Sequence, residues 1–531
     1  MTASTLSRRT LLRLAPLGLA GPAWLQAQTL NPGAHGAHGA MNHGAAAPPA
    51  SASARPVALA PDSAVPSGRD WRGLVPLANT SGQPGLFRAR LVAAPAQVEF
   101  MPGRKTTVWA YNGMTPGPLI EVNEGDTVEI EFENRLPQPS TIHWHGLPVP
   151  ADQDGNPMDL VAPGARRLYR YTLPKGSAGT YWYHPHPHYM TAEQVFRGLA
   201  GAFVVRAADD PLRSLPERHL FVSDLRLAAD GRIPPNTVMD WMNGREGQFA
   251  LVNGLLRPVV AQQGTERWRI WNACNARFLR LRLGGQAFAQ VGTDGGLLGA
   301  PVQGLTELLL APAERCELVV TAGSAPAAWE LSAESYDRGL MSLQHMMGEE
   351  GGRRLPPAPR RVLAQVRSTP AAAPQPALPA ALRPVVPLGE AKVQRQVLFT
   401  EVMDMDAMHG LSEHAQQRPE GMQFQINGQV YDMDRVDFTA RRGEVEQWEI
   451  INASDMDHPF HIHGTQFQVV ERVIDNQTVP EPVLAWRDTV NVRPAEIVRI
   501  KLAQDLPGLR MFHCHVLEHE DMGMMAHLMV T

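Results

Sequence analysis

The chain has 531 residues, a formal net charge of -5 and 19% charged residues. This length allows three or four domains with full cores, and the weak charge excludes the basic bias of a nucleic-acid binder. The 46 Gly and 46 Pro favour many short strands joined by turns over a helical bundle. Three cysteines are too few for a disulfide framework; Cys274 and Cys316 either pair or remain buried thiols, and Cys514 is the third.

The first 28 residues have the features of an export signal. Arg8 and Arg9 precede an apolar run that Arg13 and Pro16 interrupt, which predicts a twin-arginine signal, or alternatively a Sec signal after a chance arginine pair, and not a membrane span. No other stretch is apolar and long enough to cross a bilayer. We therefore expect the twin-arginine machinery to export the protein to the periplasm, where we expect a monomer.

The segment that follows, residues 29–70, is rich in Ala, Gly, Pro and Ser and carries three histidines. It lacks the apolar residues needed for a core, so it is predicted to be a flexible tether. Its His and Met side chains either capture copper or have no role beyond that of a linker.

Three later segments share a Gly-containing turn and an alternating strand that ends at or near an Asn. They are residues 121–132, 264–272 and 442–452. Such repetition predicts three homologous β domains of sandwich size, at residues 71–208, 209–353 and 389–531. Residues 354–388, rich in Pro and Ala, are predicted to be an extended linker or, alternatively, a strap over the surface.

Histidine pairs of the form His-x-His occur far more often than nineteen scattered histidines would give. Alternate residues of a strand share a face, so each pair presents two imidazoles on one side. Four pairs could surround a metal cluster with eight nitrogens, and imidazole suits copper, zinc, iron and nickel. The sequence has five pairs, two of which share His186: His143/His145, His184/His186, His186/His188, His461/His463 and His513/His515.

The C-terminal run narrows the choice of metal. Cys514 is followed by His519 and Met524 at intervals of five residues, and His458 is a candidate second histidine. Two His, one Cys and a weak axial Met describe a blue-copper electron-transfer site. Because Cys514 and its two histidine neighbours face opposite sides of a strand, one strand connects this site to the histidine-ringed cluster.

Together these motifs resemble the multicopper oxidases, which include laccases and bilirubin oxidases, and most closely the bacterial periplasmic cuprous oxidases. The resemblance covers about residues 86–531. It implies an all-β fold of three cupredoxin-like Greek-key β-sandwich domains, with four copper ions: one type 1, one type 2 and two type 3. By motif it implies type 2 ligands His143 and His461, type 3 ligands His145, His184, His186, His463, His513 and His515, and type 1 ligands His458, Cys514 and His519 with axial Met524. His188 is not a ligand in this pattern.

Two carboxylates match acidic residues that the family places beside the trinuclear centre. They are Asp154 and Glu520. Each either relays the protons that dioxygen reduction consumes or orients a ligand histidine.

The sequence departs from the cuprous oxidases near the type 1 site. Their long methionine-rich insert is replaced by a short run with Met403, Met405 and Met408, which either binds substrate Cu(I) or only packs the surface. The carboxylate near the type 1 histidine is displaced, to Asp455 and Asp457, which are an alternative place for substrate Cu(I) to enter. The shorter cover predicts a type 1 site more open to phenols.

We therefore expect an oxidase that takes electrons from Cu(I) or small organic reductants, reduces dioxygen to water and has a possible role in copper tolerance. The alternatives are a copper-sequestering protein without significant turnover and a copper-free structural relative that serves as a scaffold. The three repeats and eight paired histidines disfavour a two-domain copper nitrite reductase.

Overall fold

Short strands dominate the computed structural model, which describes residues 56–346, 352–409 and 411–531. The predicted export signal and residues 29–55 of the predicted tether lie outside these residues. Within the described ranges, no helix is long and apolar enough to span a membrane. The all-β prediction is confirmed, since the described helices have six residues or fewer.

The strands fall into three sheet groups along the chain. The first sheet group contains β1 (Leu86–Met101), β2 (Arg104–Tyr111), β3 (Gly117–Asn123), β4 (Thr127–Asn134), β5 (Arg166–Thr172), β6 (Gly179–Tyr183) and β7 (Gly201–Arg206). The second contains β8 (Glu217–Leu225), β9 (Phe249–Val252), β10 (Leu255–Leu256), β11 (Val259–Gln263), β12 (Thr265–Asn272), β13 (Leu279–Leu283), β14 (Phe288–Thr293), β15 (Gly296–Leu305), β16 (Leu308–Leu310), β17 (Arg315–Thr321), β18 (Ala327–Glu334) and β19 (Arg361–Thr369). The third contains β20 (Val393–Met403), β21 (Met422–Ile426), β22 (Phe438–Ala440), β23 (Val445–Asn452), β24 (His458–Ile462), β25 (Phe467–Ile474), β26 (Gln477–Pro480), β27 (Thr489–Val492), β28 (Ile497–Ala503), β29 (Gly508–Cys514) and β30 (Met525–Val530).

In the part of the chain that the structure describes, five short α-helices connect the strands: α1 (Thr191–Phe196), α2 (Val238–Asn243), α3 (Leu343–Met346), α4 (Met405–Met408) and α5 (Leu517–Asp521). Two 3-10 turns lie at Asp62–Ala64 and Ala151–Gln153.

Each sheet group consists of two sheets with an apolar core. The first group has orders β2-β1-β4-β5 and β3-β7-β6, and the second has β10-β9-β8-β12-β17-β14-β15 and β11-β19-β18-β13-β16. The third has β21-β20-β23-β28-β25-β26 and β22-β30-β29-β24-β27. Each group buries its own cluster of aliphatic and aromatic side chains, as expected when strands alternate between a core face and an outer face.

The repeated sequence unit forms equivalent structures in the three groups. β4, β12 and β23 each pair parallel to an earlier strand and antiparallel to a later one. Each ends in a buried asparagine, Asn134, Asn272 or Asn452, whose amide donates to two carbonyls and whose oxygen accepts from the backbone nitrogen two residues later. We call this arrangement the asparagine bracket.

Two predictions about irregular segments need correction. Part of the predicted tether is bound to the body of the protein: Leu59, Ser67 and Asp70 form β-bridges to the second sheet group. Ala60 and Val65 are buried in an apolar cluster, so this part orders because it does contribute core residues. Within the predicted linker, residues 361–369 form β19 between β18 and β11, because its aliphatic residues pack in the second core although prolines surround them.

The described cysteines, Cys274, Cys316 and Cys514, are all free and buried. The possible bridge between Cys274 and Cys316 is therefore absent from the structure.

Candidate metal centre

Four chain segments deliver paired histidines to one place. His143 follows β4, His184 follows β6, and their backbones bridge each other. On the third sheet group, β24 and β29 are antiparallel neighbours whose register places His461 opposite His513. The histidines of the first and third groups therefore meet, and the eight together form what we call the histidine group: His143, His145, His184, His186, His461, His463, His513 and His515, all fully buried.

The ring nitrogens of the histidine group converge in small sets. The Nε2 atom of His513 lies 3.2 Å from both His186 Nε2 and His463 Nε2. His461 Nε2 lies 3.4 Å from His143 Nε2, and His145 Nδ1 lies 3.3 Å from His184 Nε2.

Such spacing between imidazole nitrogens suits metal ligands. His186, His463 and His513 form one set of donor atoms within 4.8 Å of one another, and His143 belongs to two further sets.

The predicted carboxylates lie on the outer side of these rings. Asp154 Oδ1 is 3.0 Å from His143 Nδ1, and Asp154 Oδ2 is 3.3 Å from His463 Nδ1. Glu520 Oε2 is 3.2 Å from His513 Nδ1, and Glu520 Oε1 is 3.6 Å from His186 Nδ1. Burial raises the pKa of Glu520 well above its ordinary value, and the neighbouring Asp521 raises it further.

One carboxylate beside the histidine group was missed by the sequence reasoning. Asp488 Oδ1 lies 3.0 Å from His145 Nε2, and the Asp488 carbonyl oxygen lies 2.8 Å from His461 Nδ1. Arg315 of β17 donates to both carboxylate oxygens, at 2.7 and 2.6 Å. Neither residue belongs to a histidine motif, so no signal in the sequence pattern pointed to them.

A second group combines a thiol with two imidazoles, and we call it the cysteine group. Cys514 Sγ is 3.3 Å from His458 Nδ1, which is 3.3 Å from His519 Nδ1. The predicted axial residue Met524 is buried in the same core, and its backbone carbonyl oxygen accepts a hydrogen bond from the Cys514 backbone nitrogen at 3.0 Å. Phe424 stacks on the His519 ring at 3.9 Å.

The expectation of an open type 1 site is wrong. His458 and His519 are both 0% exposed, and their outer nitrogens contact protein: His458 Nε2 lies 2.8 Å from Ser454 Oγ, and His519 Nε2 lies 3.1 Å from the Met242 carbonyl oxygen. Met242 belongs to α2 of the second sheet group. This helix therefore covers the outer edge of His519.

The predicted Cu(I)-binding side chains are only partly brought together. Met405 is exposed and Met403 is half-buried, but Met408 is fully buried in the third core. Asp457 is buried as well and accepts hydrogen bonds from Tyr336 Oη at 2.7 Å and Asn491 Nδ2 at 2.6 Å. Met408 and Asp457 are therefore poor candidates, because core packing and hydrogen bonding already occupy them.

His188, the histidine left out of the ligand pattern, also lies apart from both groups. Its ring contacts the Tyr189 ring in a tilted arrangement with centroids 3.6 Å apart, and it meets Tyr431 edge-on.

The donor atoms fit a bound cation. Burial lowers the pKa of His458 and His513 to about 3, and it lowers the pKa of His515 well below its ordinary value. These rings are therefore neutral, and each has a lone pair available. Among the described residues, neither ring nitrogen of His515 has a hydrogen-bond partner. Burial raises the pKa of the Cys514 thiol, and a bound cation would offset this by stabilising the thiolate.

Comparison with known proteins agrees with this chemistry. Two family models, both described as multicopper oxidase, match residues 93–210 and 403–531. A multicopper oxidase of Staphylococcus epidermidis is 30% identical over 452 residues, which cover 83% of this chain and 88% of that protein. The structure of a Campylobacter jejuni multicopper oxidase, described as a metallo-oxidase, superposes with a TM-score of 0.82 at 42% identity, covering 89% of this chain and 98% of the other.

A cell division protein, FtsP of Photorhabdus laumondii, is also 30% identical over 467 residues, covering 85% of this chain and 90% of that protein.

The fold and the site define a copper-dependent oxidoreductase built from cupredoxin-like domains. The chain belongs to the multicopper oxidase family, which confirms the predicted family and fold class.

Proposed function

We propose that the protein accepts electrons one at a time at the cysteine group and passes them to the histidine group, where dioxygen is reduced to water. The observation that carries this proposal is the run His513-Cys514-His515. Cys514 belongs to the cysteine group while both of its neighbours belong to the histidine group. One short stretch of covalent backbone therefore joins an electron acceptor to a multi-metal site.

Four copper ions would occupy these groups. The type 1 ion would be held by His458, Cys514, His519 and Met524, and the type 2 ion by His143 and His461. The type 3 pair is assigned to His145, His184, His186, His463, His513 and His515. The bound ions would supply one-electron redox chemistry and a place for dioxygen to bind.

The chain's own residues would handle the protons. Dioxygen reduction to water consumes protons, and Glu520 is buried against His186 and His513. Its raised pKa favours a protonated carboxyl that can donate at this position. Asp154 instead contacts the outer nitrogens of His143 and His463 and the Arg510 guanidinium. We therefore propose Glu520 as the main proton donor and Asp154 chiefly as the residue that orients two ligands.

The reducing substrate would act without touching a type 1 histidine, because both rings are buried. Cu(I) is the substrate best supported by the surface, where Met405 and the half-buried Met403 offer soft sulfur. Asp455 is half-buried. Its backbone nitrogen donates to the carboxylate of Glu401, which lies two residues before Met403 in β20. Oxidation of Cu(I) would give the protein a role in copper tolerance, and small phenols remain second candidates.

Export by the twin-arginine route to the periplasm would fit this role, because that route carries proteins that acquire a cofactor while folded. The paired arginines that support it lie outside the described residues.

The test is Cys514→Ser, with Cys316→Ser as a matched control because both cysteines are free and buried. The Cys514 variant should lose the blue charge-transfer absorption and nearly all oxygen consumption, because serine replaces neither the thiolate ligand nor its electron path. The control should keep both. If copper-loaded wild type bound copper but consumed no oxygen with any donor, copper sequestration would replace the oxidase proposal.

A further inference from the structure

Asp488 and Arg315 form a buried ion pair at the junction of the three sheet groups. Asp488 directly precedes β27 of the third group, and Arg315 begins β17 of the second. Both side chains are completely buried, and the carboxylate also contacts His145, which the first group supplies. The second sheet group contributes no histidine to the histidine group. Its Arg315 instead reaches this site through Asp488.

The pair determines which nitrogen of His145 is available to a metal. An ionised carboxylate only accepts hydrogen bonds, so the 3.0 Å contact with Asp488 Oδ1 requires the hydrogen on His145 Nε2. A neutral imidazole carries a single hydrogen, so with that hydrogen on Nε2 the Nδ1 atom has none. That bare Nδ1 is the atom that lies 3.3 Å from His184 Nε2.

The same residue sets the orientation of a second ligand. The Asp488 carbonyl oxygen can accept only, so the hydrogen of His461 lies on Nδ1 at 2.8 Å. His461 Nε2 is then bare and points to His143 Nε2 at 3.4 Å. The Thr489 hydroxyl donates to Asp488 Oδ1 at 2.9 Å and holds the carboxylate in place.

Asp488 is close enough to His145 and His461 to be considered as a metal ligand itself. Arg315 argues against this role. Its guanidinium contacts both carboxylate oxygens, and a copper ion on the same oxygens would lie within a few ångströms of that positive charge in a buried site. Gly146 has a left-handed φ of 83°, and a side chain there would collide with the Asp488 carboxylate. The peptide beside His145 thus leaves room for the pair.

We propose that Asp488, held by Arg315, is a positioning residue that fixes the tautomers of His145 and His461 so that the histidine group is preformed for copper. This inference rests on the proposed function, because it takes these histidines as copper ligands. Substitution of such an outer partner typically costs 10- to 100-fold in metal affinity.

The test compares Asp488→Asn with Asp294→Asn. Asp294 is a buried carboxylate that accepts a hydrogen bond from the Arg315 backbone nitrogen and lies 3.6 Å from its guanidinium, so it is a matched partner of Arg315. Each copper-free variant is titrated with chelator-buffered copper, following the blue absorption for the cysteine group and electron paramagnetic resonance for the histidine group.

We expect Asp488→Asn to need about 10- to 100-fold more free copper to fill the histidine group, while the blue absorption fills as in wild type. Asp294→Asn should follow wild type in both signals. Equal filling of Asp488→Asn and wild type would overturn the inference, and so would an equal loss in Asp294→Asn, which would assign the effect to the arginine alone. A wild type that filled neither group would instead contradict the proposed function.

A second measurement needs no variant and applies even if Asp488→Asn does not fold. Nitrogen NMR of histidine-labelled, copper-free wild type reports the protonated nitrogen of each ring. We expect hydrogen on Nε2 of His145 and on Nδ1 of His461. The opposite tautomer at His145 would overturn the inference.

Discussion

From the asparagine brackets we predict that replacing Asn134, Asn272 or Asn452 lowers the free energy of unfolding by similar amounts. Only the Asn452 substitution should disturb the blue-copper site. Each bracket asparagine is almost fully buried and makes three hydrogen bonds to backbone, between 2.7 and 3.2 Å. A buried hydrogen bond contributes roughly 0.5–1.5 kcal/mol net. Replacing any one asparagine by alanine should therefore lower the free energy of unfolding of its region by about 3 kcal/mol.

The effect on function should differ because of what each bracket holds. Asn452 also accepts from Ser454 Oγ at 2.7 Å, and that hydroxyl contacts His458 Nε2. We expect Asn452→Ala to shift the blue absorption and the reduction potential of the type 1 site. Asn272→Ala, whose bracket holds residues of the second core, should leave both unchanged.

The measurements are thermal melts of the copper-free variants and visible spectra of the copper-loaded ones. A melting temperature of Asn272→Ala equal to that of wild type would refute the energetic reasoning. A blue absorption of Asn452→Ala identical to that of wild type would refute the link to His458.

Three further predictions concern the substrate, the protons and acid stability. Replacing Met403 and Met405 together by Leu should slow Cu(I)-driven oxygen uptake but not phenol-driven uptake. The control Met408→Leu, at a buried position, should leave both rates nearly unchanged. If the double variant kept both rates equally, Cu(I) would bind elsewhere. Glu520→Gln should slow steady-state oxygen consumption by roughly 10²-fold while anaerobic bleaching of the blue absorption by substrate stays fast, and an unaltered oxygen rate would remove Glu520 from proton delivery. Burial lowers the pKa of His458, His513 and His188 to about 3, so below about pH 6.5 the unfolded chain binds protons that the folded chain does not. Each such histidine should lower the folding equilibrium constant of the copper-free protein by up to about tenfold per pH unit, down to about pH 3. A melting temperature that stays constant from pH 7 to pH 4 would contradict this.

Features that depend on neighbouring residues could be predicted from the sequence. The period-two pattern and closing asparagine predicted three equivalent strands, because a strand's alternation and its terminal hydrogen bonds depend on neighbouring residues. The parity of Cys514 between two histidines correctly predicted that the structure would place the thiol in one group and the imidazoles in the other.

Contacts between distant segments were not predictable in the same way. Asp488 and Arg315 are 173 residues apart, and their meeting depends on how the sheet groups pack and not on a local pattern. The cover over His519 comes from α2, whose Met242 is 277 residues away. The sequence did not predict that residues 56–70 and β19 pack against the second sheet group. The prediction used the average composition of each segment, to which a few apolar residues contribute little.

The electron count per dioxygen tests the central claim most directly. With copper-loaded protein and a limiting one-electron donor, an oxygen electrode and a peroxide assay measure how many donor equivalents are consumed for each dioxygen. Two linked groups that reduce dioxygen fully predict four equivalents per dioxygen and no peroxide. Two equivalents per dioxygen with stoichiometric peroxide, or copper binding without any oxygen uptake, would contradict the account.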